Sequence, residues 1–251
     1  MNFLNIFKFG FFKDAFFTKV YNEEAGEYFD TFINEKLTPY ILILVGIAIL
    51  SYLIGSVSFG VIISKIKGMD VRKYGSGSAG ATNMSRVFGM KTAVLTFALD
   101  ALKTVISTSI GIMLLGSHGA FVAGLFTVIG HAFPVYFKFR GGKGIACLSA
   151  FVLITSPVCF LVLLVVYLVL LFGFKMISFA SVMTVIVYPF MLSMTSGFGL
   201  EIIAALLISI LVVFLHRENI ARIFNHEEPK ISIGKKKNQE KGDLSNENSQ
   251  E

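Results

Sequence analysis

The sequence predicts an all-α integral membrane protein, a seven-transmembrane-helix bundle with short helices and polar cytoplasmic loops. Hydrophobic residues make up 55% of the 251-residue chain and charged residues only 15%, against about 25% charged in a soluble protein. Several windows exceed the ~18 consecutive, mostly apolar residues of a spanning helix. Lys and Arg sit in short loops beside these windows, so the net charge of +6 sets orientation in a membrane and does not point to nucleic acid.

Residues 1–39 form an extension with a phenylalanine-rich start interrupted by Lys8 and Lys13, which break any signal-peptide core. It reads as an amphipathic interfacial helix or a poorly ordered terminus. Residues 40–228 form the membrane domain. Its first span covers residues 40–62, where Gly55, Ser56, Ser58 and Gly60 allow another helix or a ligand close to the backbone. Further spans cover residues 92–115, 120–137, 177–194 and 200–215. The stretch 144–174 is too long for one helix, and Thr155, Ser156 and Pro157 break it into two short ones. Alternation then puts Lys65, Lys67, Arg72, Lys73, Arg86, Lys91, Lys138, Arg140, Lys143 and Lys175 on the cytoplasmic side. The lysines of the extension fall on the opposite side, against this rule. Residues 229–251 read as a disordered basic and polar cytoplasmic tail, able to touch anionic lipid or remain solvated.

Three polar islands lie on the basic side. The first, Tyr74 to Arg86, reads YGSGSAGATNMSR. Its glycines and hydroxyls suit a nest of amides around an anion, joined by the free amides of a helix starting near Thr82. A flexible Gly/Ser linker is the competing reading. Gly75, Gly77 and Gly80 match a dinucleotide fingerprint, but a membrane span precedes them where that motif needs a strand. The second island is GHAFPVYFKFRGGKG, residues 130–144, in which Gly141, Gly142 and Lys143 offer amides and an ammonium to a phosphate. His131 is either a hydrogen-bonded structural histidine or part of that site. The third is HRENIARIFNHEE, residues 216–228, where His216 and Asn219 share a helical face. Arg217 and Arg222 are candidates for anchoring the helix end.

Asp100 and Lys103 stand three apart inside a span, the spacing of an ion pair bordering the site. Cys147 and Cys159 have apolar neighbours and no metal or redox spacing. No nucleophile elbow or metal-ligand cluster is present in the sequence. Abundant anion holders without a nucleophile suit a reaction between two phosphate-bearing substrates, catalysed by positioning and charge stabilisation. A transporter of phosphate or phosphate esters is the alternative. Polar islands on one side only, and no internal repeat, argue against it.

Together, IGSVSFG, YGSGSAGATNMSR, LDALK, GHAFPVYFKFRGGKG and HRENIARIF resemble, in order and spacing, the bacterial acyl-phosphate:glycerol-3-phosphate acyltransferase family. The resemblance implies a seven-helix bundle in the plasma membrane with a cytoplasmic active site. It also implies acyl transfer from acyl phosphate to the 1-hydroxyl of glycerol 3-phosphate, with no metal, no cofactor and no acyl-CoA. Functional coupling to the enzyme that makes acyl phosphate is a further expectation. Carried over by motif, Ser76, Thr82, Asn83, Gly141, Gly142 and Lys143 hold the acyl phosphate; Arg86, His216 and Asn219 grip glycerol 3-phosphate; and His131 shapes the pocket, with Ser76, Lys143 and His131 closest to catalysis. Three positions depart from the family pattern: Ser58 for Pro, Ser78 for Asn and His226 for Gly, the last putting the role of Glu228 in question.

Overall fold

The computed structural model describes residues 37–196 and 199–231. Residues 37–39 apart, the N-terminal extension lies outside the described residues, as does the tail beyond residue 231. The regular structure described is helical throughout: α1 Thr38–Gly55, α2 Phe59–Ile66, α3 Ala81–Phe88, α4 Met90–Ala132, α5 Ile145–Thr155, α6 Pro157–Phe174, α7 Ile177–Ser196, α8 Leu200–Leu215 and α9 Arg217–Phe224. Among the described residues, four segments are long and apolar enough to cross a membrane: Thr38–Ile66, Met90–Phe137, Pro157–Phe174 and Ile177–Thr195. Ile145–Thr155 and Glu201–Leu215 are shorter apolar helices.

The segment expected as one span over residues 40–62 is broken. A proline in the first turn starts α1, and the chain leaves helical geometry at Ser58 before α2. The small residues expected there to permit close approach do so. A Cβ on Gly55 would collide with the backbone of Thr127, and one on Gly60 with the carbonyl of Ala79. The break leaves the carbonyls of Gly55 and Val57 without helical partners. Inside a bilayer such groups must be satisfied by protein, and Lys103 Nζ donates to both, at 2.9 and 2.6 Å.

Helix α4 runs through the segments expected as spans at 92–115 and 120–137 without a loop between them, and ends at Ala132, short of the expected bound. Leu115 and Gly116 depart from helical geometry, Gly116 with φ 59°, and the two arms fold back on one another. Gly111 and Gly119 face each other so closely that a Cβ on either would collide with the other's carbonyl. One turn further in, Thr127 Oγ1 donates to Ser107 Oγ at 2.7 Å. Deeper still, Asp100 and Lys103 of one arm meet His131 of the other. Beside the bend, Tyr40 Oη lies 2.8 Å from His118 Nδ1, so the start of α1 packs at the end of the bundle opposite the polar islands.

The main core lies between the second arm of α4 and helices α5 to α8. Phe121 and Phe151 meet edge to face at 5.2 Å, surrounded by Val128, Leu148, Leu163, Tyr188, Ile208 and Val212. Cys147 and Cys159 are buried free thiols in this core. Helix α6 turns Val158, Leu161, Val165, Val169 and Phe172 outward, an apolar face suited to lipid. A smaller cluster of Val61, Val71, Ala79, Met84 and Ala93 supports the first glycine island from below.

The α4 hairpin depends on backbone contact, so Gly119→Ala should destabilise the protein by roughly 1–3 kcal/mol through overpacking. Gly46→Ala, in a helix with open space around it, should be neutral or slightly stabilising. Denaturant titration of both variants in detergent checks the contrast.

Candidate active site

The first island wraps around one side chain. Asn83, on the first turns of α3 and 1% exposed, accepts from the Ser76 amide through Oδ1 at 2.8 Å. Its Nδ2 lies within 3.1 Å of the carbonyls of Val71, Tyr74 and Ser78. Gly75 passes so close that a Cβ would collide with Asn83 Oδ1, and its φ of 59° also favours glycine. Ser78 Oγ accepts from the Gly80 amide at 3.2 Å. Gly80 caps α3, its carbonyl taking the amides of Asn83 and Met84. Those of Ala81 and Thr82 are left as orphan donors at the helix N-terminus.

In the second island, Gly141 and Gly142 depart from the role expected of them. Their amides donate to the carbonyls of Ala132 and His131, both at 3.1 Å, and the Gly141 carbonyl accepts from Ala79 at 3.2 Å. A Cβ at either position would collide with His131. These glycines serve close approach, locking the second island onto the first, and offer no spare amide to a phosphate. The free donors are instead the first amides of α5, which starts after Gly144, and the ammonium of Lys143. Arg72, expected only to orient the chain, bridges the loops: it pairs bidentately with Asp70 at 2.8 and 3.0 Å and donates to the carbonyls of Phe137 and Arg140. The Arg72 hydrogen bond holds the Asp70 carboxyl down to about 2.

The third island closes the site through its helix cap. Helix α9 ends in a Schellman motif: the amides of Glu227 and His226 bond the carbonyls of Arg222 and Ile223 at 2.7 and 3.1 Å. This reversal tucks Glu228 back beneath α9, where Oε1 accepts from Ser178 Oγ at 2.6 Å and Asn219 Nδ2 at 2.8 Å, and Oε2 from Arg222 Nε at 2.8 Å. Burial alone would raise the carboxyl's pKa, but these three donors hold it below its usual value. Asn219 Nδ2 also donates to Ser178 Oγ, and its Oδ1 accepts from Lys143 Nζ. Burial, helped by the charge of Arg222, brings Lys143 down to about 8.

His216 Nδ1 lies 2.8 Å from the Val212 carbonyl. A carbonyl only accepts, so Nδ1 carries the proton. Burial pushes the imidazole down to about 4, so it is neutral near pH 7 and Nε2 is an acceptor. Arg217 has the bland role: it stacks on Phe214 and donates to that residue's carbonyl. Arg222, the other anchor candidate, holds Glu228.

The expected Asp100–Lys103 ion pair is present at 2.9 Å, and His131 Nδ1 lies 3.1 Å from Lys103 Nζ and 3.5 Å from Asp100 Oδ1. His131 is therefore a fixed wall, held from one side by charge and from the other by Gly142.

All three islands meet at one cavity of about 290 Å³. Ser76, Thr82, Asn83, Arg86, His131, Lys143, His216 and Asn219 line it, with Asp100 behind His131, whereas Gly141 and Gly142 do not. A second, apolar cavity of about 360 Å³ adjoins it, with Leu148, Val152, Phe160, Leu163, Val185 and Tyr188 among its walls. Phe97, Ile145, Tyr167 and Ser181 belong to both. Site residues missed in the sequence are Ser178, Ser181 and Tyr167, whereas Glu228, whose role the sequence left in question, holds Asn219 and Arg222 in place. A serine pair three apart beside Lys175, on one helical face, was the available signal for the first two.

The family model described as glycerol-3-phosphate acyltransferase matches residues 45–226. The chain belongs to that family. Among curated relatives, it is 38% identical over 201 residues to glycerol-3-phosphate acyltransferase 2 of Bacillus cereus (strain ATCC 10987 / NRS 248), covering 80% of this chain and 98% of that protein. It is 37% identical over 187 residues to glycerol-3-phosphate acyltransferase of Bacillus subtilis (strain 168), covering 73% and 95%. Among solved structures it is similar to PlsY (YgiH), an integral membrane glycerol 3-phosphate acyltransferase. The glycerol 3-phosphate form matches with TM-score 0.72 and 36% identity over 75% of this chain and 96% of that one. The lysophosphatidic acid form matches with TM-score 0.69 and 36% identity over 75% and 95%.

The departures from the acyltransferase pattern have separate physical consequences. Ser78 keeps a hydrogen bond within the nest. Ser58 places a buried hydroxyl without a partner before α2. His226 occupies the left-handed turn of the Schellman motif at φ 59°, which explains a glycine there and leaves the position of Glu228 intact. His226→Gly should relieve the left-handed strain, offset in part by greater unfolded-chain entropy, for a net gain of about 0.5–1 kcal/mol. Unfolding in detergent measures it, and the acyl-transfer rate should be unchanged.

Proposed function

We propose that this acyltransferase moves a fatty acyl group from acyl phosphate to the 1-hydroxyl of glycerol 3-phosphate, giving lysophosphatidic acid and inorganic phosphate, the first step of phospholipid synthesis. The carrying observation is the pair of adjoining cavities. One is lined by cations, hydroxyls and two helix N-termini, the other is apolar, and an acyl phosphate has those same two halves. Arg86, Lys143 and Arg222 stand around the carboxylate of Glu228, with that of Glu218 also near Lys143, so three cations face two carboxylates and positive charge is left over for phosphate.

In this scheme Ser76, Thr82 and Lys143, with the first amides of α3 and the Ala146 amide of α5, hold the phosphate oxygens of the acyl phosphate. Asn83, Gly141 and Gly142 keep those donors in place. Arg86 grips the phosphate of glycerol 3-phosphate, and neutral His216 accepts from a glycerol hydroxyl through Nε2. Asn219, fixed by Ser178 and Glu228, aims Lys143. The 1-hydroxyl oxygen attacks the acyl carbon, the bond from that carbon to the phosphate oxygen breaks, and the hydroxyl proton leaves with the phosphate. No protein nucleophile is consumed. Acyl phosphate is a reactive mixed anhydride, so coupling to the enzyme that produces it belongs to the same reading.

Seven crossings belong to this proposal as well. The α4 hairpin counts as two, α1 with α2 as one, and α5, α6, α7 and α8 as one each. Helix α5 is short for the ~30 Å hydrocarbon layer, but it is walled by protein on most sides. This count returns residues 67–89, 133–144 and 216–231 to the same end, supported by contacts from Ala79 to Gly141, Arg86 to Glu228 and Ile231 to Lys175. Exposed Lys65, Lys67, Lys73, Lys138 and Arg140 lie in or beside the first two of these, which supports a cytoplasmic site in the plasma membrane.

The deciding assay is lysophosphatidic acid formation by the purified protein in lipid, with palmitoyl phosphate and glycerol 3-phosphate, against a palmitoyl-CoA control. Turnover is expected with the acyl phosphate alone. Arg86→Ala should raise KM for glycerol 3-phosphate by about tenfold or more while sparing that for acyl phosphate, and Lys143→Ala should do the reverse, each losing a charged hydrogen bond worth roughly 1.5–3 kcal/mol. Equal losses for both substrates would overturn these assignments.

The Lys143 ammonium, depressed to about 8, is present below that pH and lost above it. The ratio kcat/KM for palmitoyl phosphate should therefore fall as pH rises through about 8. The fall should be absent from the residual activity of Lys143→Arg, whose guanidinium does not titrate there.

A further inference from the structure

Acyl transfer passes through a tetrahedral state in which the carbonyl oxygen gathers negative charge, and none of the roles above addresses that oxygen. Its location follows from connectivity. The carbonyl carbon is bonded directly to both the phosphate oxygen and the first methylene. With phosphate in the polar cavity and chain in the apolar one, the carbonyl lies at the wall the two cavities share. Phe97, Ile145, Tyr167 and Ser181 form that wall. Phe97 has nothing to donate, and Ile145 offers only its main-chain amide, an orphan donor at the start of α5. Tyr167, half-buried on α6, and Ser181, buried on α7, both bring hydroxyls to this wall.

We propose that Tyr167 is a catalytic residue of this enzyme, donating a hydrogen bond to the acyl carbonyl oxygen as it becomes an oxyanion, with Ser181 orienting the phenol and the Ile145 amide as second donor. The inference rests on the acyl-phosphate reading above. Attack by the 1-hydroxyl converts the carbonyl π-bond into the oxyanion that Tyr167 stabilises. Collapse returns that electron pair to the carbonyl and expels the phosphate, which leaves with the hydroxyl proton. Tyr167 keeps its own proton throughout. A donor poised at the oxyanion position acts more strongly in the transition state than on the ground-state carbonyl. Helix α6 otherwise turns a largely apolar face outward, and its one tyrosine falls at this junction.

The experiment uses the full-length protein in lipid with palmitoyl phosphate and glycerol 3-phosphate. Ground-state affinity is read separately from competition by the unreactive palmitoyl methylene-phosphonate. Tyr167→Phe should lower kcat by about 10²-fold, as expected for one oxyanion donor. Its KM for palmitoyl phosphate and its phosphonate affinity should change by less than about threefold, the signature of an interaction made in the transition state. Fluorotyrosine placed at residue 167, nearly isosteric and a stronger donor, should keep or raise kcat. Undiminished kcat in Tyr167→Phe would overturn the proposal, and so would a loss residing in KM and phosphonate affinity, which a packing role produces. If Tyr167→Phe unfolds, the fluorotyrosine protein decides alone, and reduced kcat there sinks the idea. Absence of lysophosphatidic acid from the wild-type protein would instead remove the acyl-phosphate reading itself, and this inference with it.

Discussion

The structure depends on a buried ammonium. Lys103 Nζ joins the two freed carbonyls at the α1–α2 break to Asp100 on its own helix and to His131 on the opposite arm of the α4 hairpin. In a bilayer interior no water is present to satisfy those carbonyls, so the break can exist only where protein supplies donors. Lys103 is 4% exposed and Asp100 1%, and removing one partner of such a pair leaves an uncompensated charge, typically costing about 3–5 kcal/mol. The charge pair thus fixes three things together: where α1 ends, how the hairpin arms register, and which way the His131 ring faces.

From that anchor the site is built outward by backbone proximity. His131 is fixed on one side by Lys103 and on the other by Gly142, Gly142 and Gly141 are fixed by carbonyls of residues 131 and 132, and Gly141 holds Ala79 of the first island. Glycine acts here chiefly by absence of side chain. The donors left for a phosphate are those that helix geometry cannot use: the first amides of α3 and α5, with Lys143 between two polar loops. The carboxylate of Glu228 completes the frame from the far side, aiming Asn219 at Lys143 and restraining Arg222. Rigid donors directed at where charge develops need little reorganisation during reaction, which suits the direct transfer proposed above.

Much of this was legible in the chain. Apolar length and basic loops marked the membrane class and the helices, Thr155, Ser156 and Pro157 marked the break between α5 and α6, and the i, i+3 spacing of Asp100 and Lys103 marked the ion pair. The motif order marked the family. Less legible was the division of labour inside each motif. Asn83 and Asn219, read as substrate ligands, spend their polar atoms on the frame, because each is buried among backbone or side-chain partners that composition does not reveal. The amides of Gly141 and Gly142 are occupied for the same reason. Ser178 and Ser181 lay outside the conspicuous islands, and Tyr167 sat within an apolar run where a tyrosine carries no local signal.

Local sequence was enough to specify the solvent in which this protein folds, most of its apolar helices, the break at Ser156 and the identity of its polar islands, because these follow from hydropathy, glycine and proline, which act over a few neighbouring residues. Long-range packing alone established that the islands meet at one cavity, that an apolar cavity adjoins it at Tyr167, that the first span breaks at Ser58, and that Glu228 reaches the site despite a histidine in its turn. Those outcomes depend on contacts between residues far apart in the chain, where a hydrogen bond made or missed decides whether a polar atom supports the site or faces the substrate.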